Sequence, residues 1–390
     1  MQVPQIDLKR EYKFIEEEVK KATEKVMASG YYILGPHVKE LEEKIASYTG
    51  VRFAKGVASG SDALLLTQMA IGIKKNEGVI TTPFTFFATA SAVYRRGGIP
   101  VFVDIDEKTY NISPDSIEKV LEGGRKEKDG TIIKHKGKEV KVRAIIPVHL
   151  FGQSAEMDRI MDIAKRYNLM VVEDAAQSIG AEFDGKRVAS FGDFGIYSFF
   201  PTKNLGTYGD GGMVLTDDED LDQMINILRV HGASRKYHHT YVGINSRLDE
   251  IHAAILLVKF KYLEEFTKKR AERAAYYMKL FKDFDLSEFV ELPYVHKKAT
   301  RHVWNQFVIK VEKRDELKSF LKEKGIGTNI YYPMGLHMQK CFEDLGYKEG
   351  ELPITDKVSR KVLALPMHPF LRDDEQEYVV EKIREFYNGV

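Results

Sequence analysis

The sequence predicts an α/β protein in which a mostly parallel seven-stranded sheet is flanked by helices and followed by a small C-terminal α+β domain. Three observations carry this. Between Phe53 and Thr216, short apolar stretches of strand length alternate with stretches of helical pattern. Alternation sustained over that length implies parallel strands joined by crossover helices on both faces. The chain of 390 residues is long enough for one large and one smaller core, and beyond about residue 250 the pattern changes to a long helix and then to mixed elements. Residues 1–250 are therefore expected to form the large domain with helical arms at its start. Residues 251–390 are expected to form a linking helix and the small domain.

In chain order, Leu8 to Met27 reads as a helix stopped by Ser29-Gly30. Gly35-Pro36 then introduces a second, Val38 to Tyr48, with Leu41, Ile45 and Tyr48 on one face. Both read as an arm or flap in front of the main domain. Strands are expected at Ala54–Ala58, Gly78–Thr82, Pro100–Asp104, Ala144–Val148, Met170–Glu173, Gly195–Phe200 and Met213–Thr216, with helices at Ser61–Ile73, Phe86–Arg95, Ala155–Tyr167 and Glu219–Val230. Gly123 to Val142, rich in Lys, Glu and Gly, reads as an inserted surface hairpin. A long helix from Leu248 to about Met278 leads to a strand at Trp304–Val311 and helices at Asp315–Lys324 and Asp374–Phe386.

Composition narrows the function. The apolar fraction of 43% and charged fraction of 30% are those of an ordinary globular protein, and a net charge of +1 gives no bulk attraction for nucleic acid. No apolar run is long enough to span a membrane, and Met1 to Asp7 lacks the charged start and apolar core of a signal peptide, so a cytoplasmic location is expected. Cys341 is the only cysteine, which removes an intrachain disulfide and a cysteine zinc cluster. There is no dinucleotide-binding glycine fingerprint and no P-loop.

One lysine stands apart. Lys203 lies between the aromatic run ending Phe199-Phe200-Pro201 and a loop holding Gly206, Gly209, Gly211 and Gly212. Enclosure would lower its pKa and free the amine to attack a carbonyl. Taken alone, it reads equally well as a lysine that snorkels from a strand end. Asp174 closes the apolar strand Leu169 to Glu173, where a carboxylate enters the ligand crevice of a parallel sheet; the alternative is a helix cap. Ser59-Gly60-Ser61-Asp62 joins a strand to a helix and can cradle a phosphate, or simply start the helix well. Ser198 can add a phosphate donor. Phe86 can lay its ring on an aromatic cofactor, or belong to the core. Arg235 to His239 suits an anionic substrate, and Asn245 and Arg247 are expected at the positive end of the long helix. His231, His238 and His239 lack ligand spacing, so no metal is expected. A Schiff-base lysine, an acid for a ring nitrogen, a phosphate cradle and a stacking aromatic together describe a pyridoxal phosphate (PLP) site.

These segments resemble the DegT/StrS-type sugar aminotransferases of fold-type I over nearly the whole chain. The likeness rests on Gly35-Pro36, Ser59 to Leu64, Thr85 to Thr89, Val101 to Asp106, Pro147 to Gly152, Glu173 to Gln177, Ser198 to Gly212, Asn245 to Asp249 and Leu365-Pro366-Met367. It implies that Lys203 carries PLP through a Schiff base, that Asp174 pairs with the pyridine nitrogen and that Gln177 lies by the ring oxygen. It further implies that Phe86 stacks on the ring and that Gly60, Ser61 and Ser198 hold the phosphate. Asn245 would reach the phosphate of a neighbouring subunit's cofactor, making the active unit a homodimer with shared sites. The lysine at 203 disfavours the dehydratase branch, which has histidine there. Gly30 to Pro36, Tyr237 to His239 and Val242 to Arg247 are most similar to enzymes that aminate C3 of UDP-2-acetamido-2-deoxy-3-oxo-glucuronate, with L-glutamate as donor. Arg247, His238 and His239 would then contact the sugar acid or the diphosphate, with Tyr331 and Tyr332 at the same substrate. Tyr331-Tyr332-Pro333 stands where many members have His-Tyr-Pro, which keeps open a dTDP- or UDP-linked 3-keto or 4-keto-6-deoxy sugar. A regulatory protein retaining the fold is the alternative of another class.

Overall fold

The structure is a computed structural model that describes residues 1–388. Helix α1 (Leu8–Ser29) is started by Asp7, whose carboxylate accepts from the Lys9 and Arg10 N–H groups, and ended by Gly30. Helix α2 (Pro36–Thr49) follows, capped by Glu250, a fully buried carboxylate that accepts from the His37 and Val38 N–H groups at 3.0 and 2.9 Å. A Cβ on Gly35 would lie 2.8 Å from Glu250 Cδ, so the glycine permits this close approach. Pro36 suits the first helical turn.

The main sheet then begins: β1 (Phe53–Val57), α3 (Gly60–Ile71), β2 (Gly78–Thr81), α4 (Ala88–Arg95), β3 (Ile99–Phe102) and α5 (Pro114–Leu121). It continues with β4 (Arg125–Glu127), β5 (Gly130–His135), β6 (Lys138–Ile146), α6 (Met157–Tyr167) and β7 (Met170–Asp174). A short ladder of β8 (Glu182–Phe183) and β9 (Lys186–Arg187) precedes β10 (Phe194–Ser198), β11 (Gly212–Thr216), α7 (Glu219–Leu228) and a small hairpin of β12 (Ala233–Arg235) and β13 (His238–His239). The remainder is α8 (Glu250–Phe260), α9 (Leu263–Asp283), β14 (Val290–Glu291), β15 (Phe307–Val311), α10 (Arg314–Glu323), α11 (Pro353–Ser359), β16 (Val362–Leu365) and α12 (Asp373–Asn388).

Seven strands form the path β1-β11-β10-β7-β6-β2-β3. The pairs from β10 to β3 are parallel, whereas β11 is antiparallel to both β10 and β1. Hence β11 alone on this path runs backwards, and six strands deliver their C-terminal ends to one edge. Alternate residues bury on opposite faces: Ala144, Ile146 and Val172 pack under α3 and α4, Ile145 and Val171 under α5 and α6. A second, antiparallel sheet β14-β15-β16 shares a core with α9, α10 and α12 through Tyr277, Phe307, Leu317, Leu363 and Ile383. Val3 pairs with Ile326 beside that core.

Several expectations need correction. Helix α2 is no flap, because Val38, Leu41 and Ile45 pack on Tyr197 and Met213 of the sheet. The residues 123–142 are not a detached surface hairpin: β6 runs without a break from Lys138 to the buried Ile146, and Ile133, Val140 and Val142 are core. The helix expected from Leu248 to Met278 is two, α8 and α9, parted at Lys261-Tyr262. The strand expected from Trp304 begins only at Phe307, since the preceding residues form a loop bonded to Gly152 and Phe151.

Candidate active site

Strand β7 ends at Asp174, whose buried carboxylate lies at the collecting edge of the sheet. Its Oδ2 accepts from Thr89 Oγ1 at 2.8 Å and its Oδ1 from the Ala176 N–H at 3.2 Å. Burial pushes its pKa above the ordinary carboxylate range, opposed by the Thr89 and Ala176 hydrogen bonds and by the Lys203 cation. Glu173 points the other way, as expected. It accepts the Ala189, Phe191 and Gly192 N–H groups at 2.8, 2.6 and 2.9 Å and faces His149 Nε2 at 3.0 Å. His149 Nδ1 accepts the Ala155 N–H, which puts the imidazole proton on Nε2, where it is donated to Glu173.

Strand β10 ends at Ser198, and the chain doubles back through a braced loop. The Phe199 N–H bonds Gly211 O, the Lys203 N–H bonds Phe200 O and the Thr207 N–H bonds Phe199 O. From α8, the buried Lys259 donates to Gly206 O at 2.5 Å, and Asn204 Nδ2 donates to Val303 O at 2.8 Å. The loop is thus fixed while the half-buried Lys203 amine has no hydrogen bond or ion pair among the described residues. Burial lowers its pKa to about 8, against an upward pull from Asp174.

Ser59 caps α3 by accepting the Asp62 N–H at 3.1 Å. That leaves the first N–H groups, at Gly60 and Ser61, without helical partners. A Cβ on Gly60 would sit 2.7 Å from Ser198 Cβ, so only glycine lets the end of β10 press against this helix start. Ser61 is exposed there. Gln177 is buried; its Oε1 accepts the Phe151 N–H at 2.8 Å and its Nε2 donates to Tyr332 Oη at 3.1 Å. Burial pushes the Tyr332 phenol up. Tyr331 accepts from Asn329 Nδ2 at 3.1 Å. Phe86 is 59% exposed, its ring free of aromatic partners among the described residues, whereas Phe87 stacks on Phe342.

The side chains of the remaining candidates make no hydrogen bond to Asp174 among the described residues. Helix α8 starts at Glu250, so Asn245 and Arg247 are not in its first turn; they lie on an extended segment held by pairing of Asn245 with Val230, Asp249 with Ile33, and Ser246 Oγ with the Ala58 N–H. Asn245 is exposed, and the Arg247 Nε is buried without a hydrogen-bond partner. His238 and His239 stand on the exposed hairpin, where His239 Nδ1 lies 3.0 Å from His231 O. Sequence reasoning missed the roles of Thr85, Thr89 and Asn204 around the lysine and carboxylate. No local signal marked them, because Thr85 lies before α4 and Thr89 meets Asp174 across the sheet edge.

A cofactor with an aldehyde, a basic ring nitrogen and a phosphate fits these groups: an unpartnered amine, a buried acid and a free helix start. Fold and site chemistry define a class, the fold-type I enzymes that use PLP. The model of the DegT/DnrJ/EryC1/StrS aminotransferase family matches residues 13–384, and the chain belongs to that family. It is 46% identical, over 99% of both chains, to a protein of Geobacillus stearothermophilus called a pleiotropic regulatory protein. It is 38% identical, over 94% of this chain and 95% of the other, to the UDP-2-acetamido-2-deoxy-3-oxo-D-glucuronate aminotransferase of Pseudomonas aeruginosa. A solved aminotransferase of the family from Brucella abortus aligns with a TM-score of 0.91 at 38% identity, covering 99% of each chain. NtdA from Bacillus subtilis, solved with bound cofactor PMP, aligns with a TM-score of 0.83 at 32% identity, covering 95% of this chain and 82% of that one. The protein is a PLP-dependent nucleotide-sugar aminotransferase.

Proposed function

We propose that the protein moves an amino group from L-glutamate to C3 of a UDP-linked 3-keto sugar acid, with UDP-2-acetamido-2-deoxy-3-oxo-glucuronate as the first candidate, in synthesis of a cell-surface polysaccharide precursor. The observation that carries the chemistry is the Lys203 amine, unpartnered and facing a buried Asp174. Bound PLP supplies an electron sink for the carbon that loses its proton. Lys203 is the residue that would hold the cofactor's aldehyde, and its amine is placed to take up and return a proton. With a pKa of about 8, roughly a tenth of its amine is free at pH 7, against about one part in three thousand at the ordinary value of 10.5. Asp174 keeps the ring nitrogen protonated. Because Gln177 Oε1 is occupied by Phe151, its amide N–H face is the one available to the cofactor's ring oxygen. Ser61, Ser198 and the α3 start would hold the phosphate, and the free face of Phe86 is available to the ring. Arg247, whose Nε lacks a partner, together with His238 and His239, meets the anionic part of the substrate.

What supports the sugar acid is the Pseudomonas aeruginosa relative and the cationic Arg247. Tyr331 in the place of histidine favours a second reading, a dTDP- or UDP-linked 3-keto or 4-keto-6-deoxy sugar. The test has two stages. L-Glutamate should convert the PLP form to the PMP form, seen as loss of the visible absorbance; a cofactor-loaded protein that ignores glutamate would favour a regulatory role. The PMP form is then offered a panel of UDP- and dTDP-linked 3-keto and 4-keto sugars. Turnover confined to 4-keto substrates would overturn the C3 assignment.

A further inference from the structure

The value of Asp174 to the site depends on its charge, and two donors of unlike kind reach it. The Ala176 N–H at Oδ1 can only donate. The Thr89 hydroxyl at Oδ2 has a second neighbour, Thr85 Oγ1, at 3.1 Å, and both threonines are buried. A hydroxyl has one proton. With the Thr89 proton spent on Asp174, the proton between the two threonines must come from Thr85. The three groups then form a chain of donors aimed at one carboxylate oxygen: Thr85 to Thr89 to Asp174. The chain spans elements, since Thr85 precedes α4, Thr89 lies in its first turn and Asp174 ends β7. The other titratable groups facing Asp174 are Lys203, from the loop after β10, His149, from the loop after β6, and Tyr332, from the loop after α10, whose phenol the Asp174 charge helps to keep protonated. His149 directs its ring hydrogen bonds to Glu173 and Ala155. Lys203 makes no hydrogen bond to Asp174, so Thr89 and Ala176 are the donors to that carboxylate among the described residues.

We propose that Thr89, oriented by Thr85, is a positioning residue that holds Asp174 ionised and in the rotamer that leaves a lone pair free for a ring N–H. Hydrogen bonds to a charged acceptor are about twice as strong as neutral ones, and a hydroxyl polarised by a second hydroxyl donates more strongly still. The chain therefore favours the carboxylate over the acid. This rests on the proposed pairing of Asp174 with the cofactor ring, so the test separates the two.

In full-length protein stripped of cofactor, the infrared carboxyl band of Asp174, identified by difference against Asp174→Asn, gives the pH at which it protonates. Thr89→Val should raise that midpoint by about one unit or more, and Thr85→Val should raise it less. Thr89→Ser, which keeps the hydroxyl, should leave it near wild type. Equilibrium dialysis should show PLP binding weakened about tenfold in Thr89→Val and restored in Thr89→Ser. A folded Thr89→Val protein with an unmoved midpoint overturns the proposal; should that variant not fold, an unmoved midpoint in Thr85→Val does so. Unchanged PLP affinity in Asp174→Asn would instead overturn the pairing of Asp174 with the ring, while the midpoint shifts would still decide the role of Thr89.

Discussion

Lys203 is placed where its charge is unwelcome, and that has a measurable cost. Its folded pKa of about 8 lies below the ordinary 10.5, so between these values the unfolded chain binds more protons than the folded one. Stability from this group therefore rises with pH from about 8 to 10.5, and below about 8 the full penalty of enclosing an ammonium is present. Lys203→Met should stabilise the cofactor-free protein, with a larger gain in melting temperature at pH 7 than at pH 10.5, read by thermal unfolding at both values. An equal gain at both would show that the enclosure does not shift the lysine. The acid was legible in the sequence because Asp174 ends an apolar strand, and the lysine because it follows an aromatic strand and precedes a glycine-dense loop. Thr89 was not, because it meets Asp174 across 85 residues, and neither was the bond between Gln177 and Tyr332, which spans 155. Local pattern identifies strand ends and says nothing of which side chains meet across the edge.

At the scale of elements, short apolar strands and their helices were legible because burial on both faces leaves a nearly continuous apolar run. Continuity was not. The chemistry of turn residues marked the hairpin of β5 and β6, yet nothing in it said that β6 continues into the core. The role of Glu250 was equally hidden, since it caps a helix that lies 212 residues away in the chain. Glu250→Ala should remove both backbone caps of α2 and cost about 1–3 kcal/mol in urea unfolding. Gly35→Ala should also destabilise, because its Cβ would meet the Glu250 carboxylate at 2.8 Å. The two costs should not add, since removing the carboxylate removes the clash. Strict additivity in the double variant would mean that Gly35 is required for its backbone and not for this contact.

The molecule as a whole gathers its chemistry at one sheet edge and leaves apolar side chains in solvent. Tyr31, Tyr32, Ile33 and Phe200 are all more than 40% exposed. A contiguous exposed apolar patch is a surface another chain can cover; Asn245 is exposed, and the Arg247 Nε is buried without a hydrogen-bond partner. We propose that a second copy covers these residues and that each site takes Lys203 from one subunit and Asn245 from the other. A C2 dimer requires both sites to be built alike. Lys203→Ala and Asn245→Asp proteins should each be nearly inactive as pure dimers. Unfolded together and refolded at equal concentration, they should form mixed dimers in which one site has two defects and the other has none. Random pairing makes half of all dimers mixed, so activity should return to about a quarter of wild type. Sites contained within single subunits would give no recovery, because every site would still have one defect.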